Sequence, residues 1–205
     1  MDERDEGLRA RLVAVGVDLV AREGVQALSL REIARRAGVS HGAPRRYFPT
    51  HAALLSAIAR QGFAGLAQEA AAAVAGGGAA DGAAAGPRAR ILALGRVYLG
   101  YAAANRGMFE LMFRHDLLEN AVAGEAPGLR ETSLPLFRVL VDLIARVPNR
   151  PGTGSPETVA GALWANLHGI AQLWAWGSLQ LASGTDDADP LLRAALDAYL
   201  GPERP

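Results

Sequence analysis

Between Arg22 and Arg60 the chain carries seven arginines, at positions 22, 31, 35, 36, 45, 46 and 60, against two acids, Glu23 and Glu32. Guanidinium groups clustered in this way do electrostatic chemistry. They bind phosphate, and adjacent ones such as Arg45 and Arg46 can also donate in pairs to a guanine edge. The excess is local. Residues 61–205 hold 11 arginines against 14 acids, and the whole chain is neutral at pH 7. A uniformly basic nucleic-acid coat is excluded, whereas one short basic reading segment is not.

Other chemistries find little support. The histidines at 41, 51, 115 and 168 show no HExxH or other compact metal spacing, and there is no cysteine for a thiolate site, a nucleophile or a disulfide. No glycine-rich phosphate loop and no G-x-S-x-G elbow occurs. His115 and Asp116 could orient one another, but no nucleophile accompanies them, and Asp186-Asp187 reads as a solvated loop. The chain is expected to be no enzyme and to hold no metal or cofactor.

A second group of side chains has a different character. Tyr98, Tyr101, Phe109, Met112, Phe113, Trp164, His168, Trp174 and Trp176 gather most of the aromatic and methionine content. Pockets for small molecules are mainly apolar with a few orienting polar groups, which His168 or Asn166 could supply. As a set they suggest an apolar or aromatic ligand. The same residues at helical spacing fill a core equally well, and His168-Gly169 also fits a buried histidine beside a close helix contact.

The elements that must carry these residues read as helices throughout, without strand alternation or an Asn-Gly hairpin signal. Leu8, Leu12, Val15 and Leu19 mark one face of a first helix, which Glu23-Gly24 stops. Ser29-Leu30-Arg31-Glu32 has the form of a capping box, with Leu28 and Ile33 as its hydrophobic staple. That helix stops at Gly38. Ser40 can cap a second short helix running to about Phe48, with Pro44 demanding a late or irregular start. Helix, glycine-containing turn and helix make the helix-turn-helix pattern, with Ile33, Val39 and Phe48 as its core.

Thr50 then caps a longer helix through Leu54, Leu55, Ile58, Phe63 and Leu66, followed by an Ala/Gly connector at 76–86. Further helices are expected over Pro87–Ala104, from Met108 to Leu118, and from Leu129 to Val147. Another, apolar nearly all round, runs from Glu157 to about Ala182, and a last one spans Pro190–Leu200. A helix apolar on every side must be covered on every side, by its own domain or by a second subunit. The acidic start MDERDEGLRA lacks the layout of a secretory signal, and charge, Gly or Pro interrupts every apolar stretch short of a membrane span. The expectation is a cytoplasmic protein without membrane attachment.

Residues 29–55, SLREIARRAGVSHGAPRRYFPTHAALL, resemble the DNA-binding region of the TetR family of bacterial transcription regulators. The likeness rests on Ile33, Ala34 and Ala37, the turn Ala37-Gly38-Val39-Ser40, Tyr47-Phe48-Pro49-Thr50, and the long helix that follows. Trp164-Ala-Asn-Leu-His168-Gly169 and Asn105 to Phe113 are similar to segments of one subgroup's ligand domain. Two positions depart from the pattern. Arg45 stands where the family has an aromatic residue, and His51 where it commonly has lysine. A histidine, largely uncharged near neutral pH, makes a weaker or pH-dependent phosphate contact.

The resemblance implies an all-α chain with a helix-turn-helix DNA-binding domain over 1–49 and a ligand-binding and dimerisation domain over 50–205. It implies a homodimer on double-stranded DNA, reading a pseudo-palindromic operator, acting as a repressor and released by a small apolar or aromatic effector. On that reading DNA is met by Ser29, Arg31, Ser40, His41, Gly42, Ala43, Arg45, Arg46, Tyr47, Thr50 and His51. Arg35 and Arg36 read as ordinary solvated charge. The competing expectation is a helical adaptor that never touches DNA, which has no reason to place its basic excess on the turn motif.

Overall fold

The structure, a computed structural model, describes residues 3–76, 86–114, 129–148 and 154–202. The connector at 77–85, the pair His115-Asp116, the loop at 124–128 and most of the loop between 148 and 156 lie outside them. Among the described residues there are ten α-helices, one 3₁₀ turn and no strand. They are α1 (Glu3–Glu23), α2 (Leu30–Arg36), α3 (Ala43–Tyr47), α4 (His51–Gly76), α5 (Pro87–Ala104), α6 (Arg106–Phe113), α7 (Leu129–Ala145), α8 (Pro156–Ala175), α9 (Ser178–Ser183) and α10 (Asp189–Leu200).

The chain forms two compact units, one of residues 1–65 with 105–132 and one of 66–104 with 133–205. In the first, Leu12, Leu19, Ile33, Leu54 and Ile58 are wholly buried. Small residues set the approach of its helices. A Cβ on Gly107 of α6 would lie 2.4 Å from the Val20 carbonyl oxygen of α1, so only glycine admits this contact. In the second unit Ile91, Ile144, Leu163, Leu192 and Leu196 form the centre of the core. Two arginines of α5 fasten α10 there. Arg96 forks onto Asp189 at 2.6 and 2.9 Å, and Arg88 donates to the Gly201 carbonyl at 2.6 Å and to Asp197.

Several local expectations are corrected. The capping box is only half formed. Ser29 Oγ accepts from the Glu32 amide at 3.2 Å, but the Ser29 amide donates to the Ala27 carbonyl at 2.9 Å instead of to Glu32. A 3₁₀ turn at Val25–Ala27 offers that carbonyl, and the Glu32 carboxylate is drawn to two arginines. Ser40 does not cap α3. Its carbonyl accepts from the Ala43 amide at 3.0 Å, and Gly42 takes the cap position. Pro44 thereby falls in the first turn, where its missing N–H has no helical partner to lose.

The long apolar helix expected over 157–182 is two helices. Gly177 adopts φ of 76°, its amide closes on the Trp174 carbonyl at 3.0 Å, and α9 restarts after it. By contrast α2 ends as its sequence indicates. Gly38 is left-handed at φ of 68°, with its amide on Arg35 at 3.2 Å and that of Val39 on Ala34 at 3.0 Å, a complete Schellman motif.

Candidate nucleic-acid interface and effector region

The α2–turn–α3 segment sorts its arginines by neighbour. Glu32 on α2 accepts from Arg35 at 2.8 and 2.6 Å and from Arg36 at 2.7 Å, and Arg36 also reaches Glu23 at the end of α1, at 2.5 Å. These hydrogen bonds hold the Glu32 carboxyl down at about 2 and raise both guanidinium groups. Arg22 pairs with Asp18 at 2.7 Å. Burial lowers Arg60, with Arg9 as the second cause. Arg22, Arg35 and Arg36 are therefore paired with carboxylates of the fold. Arg31, Arg45 and Arg46 are exposed, and Arg31 and Arg45 stand outside the ion pairs just described.

Around them lies a small, polar, accessible surface. Ser29, Ser40, His41 and Gly42 are exposed, Ala43, Tyr47 and Thr50 are half-buried, and a Cβ on Gly42 would meet open space. The Arg46 guanidinium sits 5.9 Å from the centroid of the Tyr47 ring. Thr50 Oγ1 accepts from the Ala53 amide at 3.0 Å, capping α4. His51, at the first position of α4, places Nε2 2.7 Å from the Leu28 carbonyl oxygen. Ser29 and Thr50 thus serve as caps, whatever else they touch. The arrangement can neutralise phosphate and insert a short helix with small entry residues into a major groove.

The second set of candidates divides between the units. In the second unit Trp164 Nε1–H donates to the Tyr98 hydroxyl at 3.2 Å, and that hydroxyl lies 2.8 Å from His168 Nδ1. Gln172 is 3.4 Å from His168 Nε2, and Phe137 meets Trp164 edge-on at 6.2 Å. The Tyr98 oxygen accepts from Trp164 and keeps a second lone pair, so its bond to Nδ1 fits either tautomer of a neutral imidazole, with the phenol or the ring N–H donating. Burial favours that state by lowering His168, and it raises the Tyr98 phenol, with Trp164 opposing. Tyr101 is buried at 7% exposure, and its phenol is raised by burial first and by Glu69 second.

Phe109, Met112 and Phe113 lie on α6. They belong to the first unit, with Phe113 5.0 Å from Phe109 and 5.7 Å from Phe63, and Met112 wholly buried. Trp174 is half-buried and offers its carbonyl to Gln180, while Trp176 is 72% exposed. Asn166 lines an open cleft of about 350 Å³ with Ile170 of α8, Leu179 of α9, and Leu191, Ala194, Ala195 and Ala198 of α10. That cleft and the Tyr98 junction escape sequence reasoning, since Tyr98 lies 70 positions from His168 and no periodicity relates them. Among the described residues no group of three His, Cys, Asp or Glu could hold a metal, and no helix is long and apolar enough to cross a membrane.

A helix-turn-helix with outward arginines, joined to a helical second unit, defines a class of DNA-binding regulators. Known proteins narrow it. The family model for bacterial regulatory proteins of the tetR family matches residues 12–58, and that for the tetracyclin repressor-like C-terminal domain matches residues 91–199. The chain belongs to the TetR family of transcription regulators. A protein of unknown function from Rhodococcus sp. RHA1 is 32% identical, with 93% of this chain and 92% of that one covered and a TM-score of 0.73. A TetR-family member from Streptomyces coelicolor A3 is 26% identical over 94% of this chain and 98% of its own, with a TM-score of 0.59. The multidrug binding protein EbrR, solved with imidazole, shares the fold at 24% identity and a TM-score of 0.60, with 100% and 98% covered. No functionally curated protein matches the sequence.

Proposed function

We propose that the protein is a repressor that binds a pseudo-palindromic operator as a homodimer and leaves it when a small apolar or aromatic effector binds the second unit. The observation that carries the DNA half is the sorting of cations. Arg35 and Arg36 are neutralised on the fold, while Arg31 at the start of α2 and Arg45 on α3 are exposed and take no part in those pairs. Arg45 and Arg46 serve phosphate or a guanine edge, with Ser40, His41, Gly42 and Ala43 at groove entry and Ser29, Tyr47 and Thr50 at its rim. A helical adaptor would gain nothing from that sorting.

For the effector half, the Tyr98–His168–Trp164 junction supplies the few polar groups that an apolar site needs for orientation. The switch requires only differential affinity. A hundredfold loss of operator binding corresponds to ~2.7 kcal/mol between the two states.

The test is fluorescence anisotropy on DNA from a random-pool selection, at several salt concentrations, with Arg45→Ala/Arg46→Ala alongside. Sub-micromolar, palindrome-dependent binding that weakens steeply with salt and falls at least tenfold in the variant supports the reading. An empty selection overturns it.

A further inference from the structure

The hydrogen bond from His51 to Leu28 joins the residue just before the α2 cap to the first residue of α4, and so spans 23 positions. The whole of α2, the turn and α3 lies between its ends. We infer that His51 is a positioning residue for DNA binding, whose Nε2–H clasps the two ends of the reading unit together; this rests on the DNA-binding function proposed above.

The surroundings of the bond support the assignment. At 2.7 Å it is a short, well-formed contact. The acceptor is a backbone carbonyl, so Nε2 must carry the proton and donate. Leu28 is itself pinned, with its side chain 4% exposed and its amide on the Val25 carbonyl at 3.1 Å. Both ends of the clasp lie beside side-chain caps, Ser29 on α2 and Thr50 on α4. A bond placed there fixes where both helices begin. The recognition helix between them is only five residues long and cannot define its own direction by length.

A lysine at this position would carry its charge to phosphate but has a flexible stem and no ring to hold a fixed donor against Leu28. The inference therefore runs against reading His51 as a weakened phosphate contact. The two roles separate in salt dependence, because a phosphate contact contributes about one unit to the slope of log affinity against log salt and a positioning bond contributes none.

The experiment compares wild type with His51→Lys, His51→Ala and His51→Gln, since a glutamine amide can donate at similar reach. Operator affinity is measured across salt, and hydrogen exchange at the Glu32 and Ala53 amides is followed in DNA-free protein. The Ala variant is expected to bind about tenfold more weakly with unchanged slope, the Lys variant to bind more weakly than wild type despite its added charge, and both to exchange faster at Glu32, with Gln recovering most of the affinity and of the protection. A Lys variant that binds as well as wild type or better with a steeper slope overturns the clasp, as does an Ala variant with unchanged exchange. If wild type selects no DNA, the DNA-binding reading fails separately; exchange in the free protein then decides whether the clasp exists.

Discussion

Glu32 shows how one side chain can occupy two neighbouring cations within the fold. Its carboxylate accepts from two arginines, which holds it at about 2, well below an ordinary glutamate. A depressed acid contributes stability above its unfolded value, near ~4.3, and loses it as pH falls through the folded one. Thermal melts should therefore show Glu32→Gln less stable than wild type above pH 5, with the gap closing between about pH 4.5 and 2. A constant gap would mean that the pairs contribute nothing to folding. Tyr98 is the corresponding hub of the second unit. Tyr98→Phe removes the oxygen shared by the Trp164 and His168 bonds and should lower urea stability by about 1–2 kcal/mol. A loss below a few tenths would count against a structural junction there.

At the scale of elements, the contacts of α6 with its neighbours differ in what a methyl group would meet. At Gly62 of α4 an added Cβ meets the side chains of Met108 and Met112 at 2.7 Å, and these can swing aside. At Gly107 it meets the Val20 carbonyl at 2.4 Å, and a backbone cannot. Gly107→Ala is expected to cost about 2–3 kcal/mol in denaturant melts and Gly62→Ala about 1. Equal losses would show that α6 slides freely over α1. The limits of most helices are legible in the sequence because caps and glycines act locally, as at Ser29, Gly38 and Thr50. Where the expectation missed, at Glu32, Ser40 and Gly177, a competing partner or a left-handed glycine inside an apolar run changed the outcome.

For the whole molecule, charge sorting makes a quantitative claim about DNA. With Arg31, Arg45 and Arg46 each meeting a phosphate in both of two subunits, log affinity should fall against log salt with a slope of about −5. Arg35→Ala should leave that slope unchanged, because Glu32 already neutralises the cation in the free protein. A shallower slope in that variant would move Arg35 onto phosphate. Leu134, Val139, Trp164 and Leu173 leave apolar surface exposed on α7 and α8. Exposed apolar side chains of this kind suit the proposed two-fold pairing. Leu173→Glu should shift sedimentation toward monomer and weaken operator binding together.

The sequence by itself determined the helical class, the helix-turn-helix and its basic segment, since periodicity, caps and charge are properties of near neighbours along the chain. It also marked Tyr98, Trp164 and His168 as worth watching, without relating them. Tertiary structure alone decided that those three meet while Phe109, Met112 and Phe113 belong to the other unit. It alone decided that Arg36 is spent on Glu23, and that His51 is tied to Leu28. The reason is physical. Each of these is a contact between residues far apart in sequence, set by how helices pack, and no local pattern encodes which distant partner a donor will find.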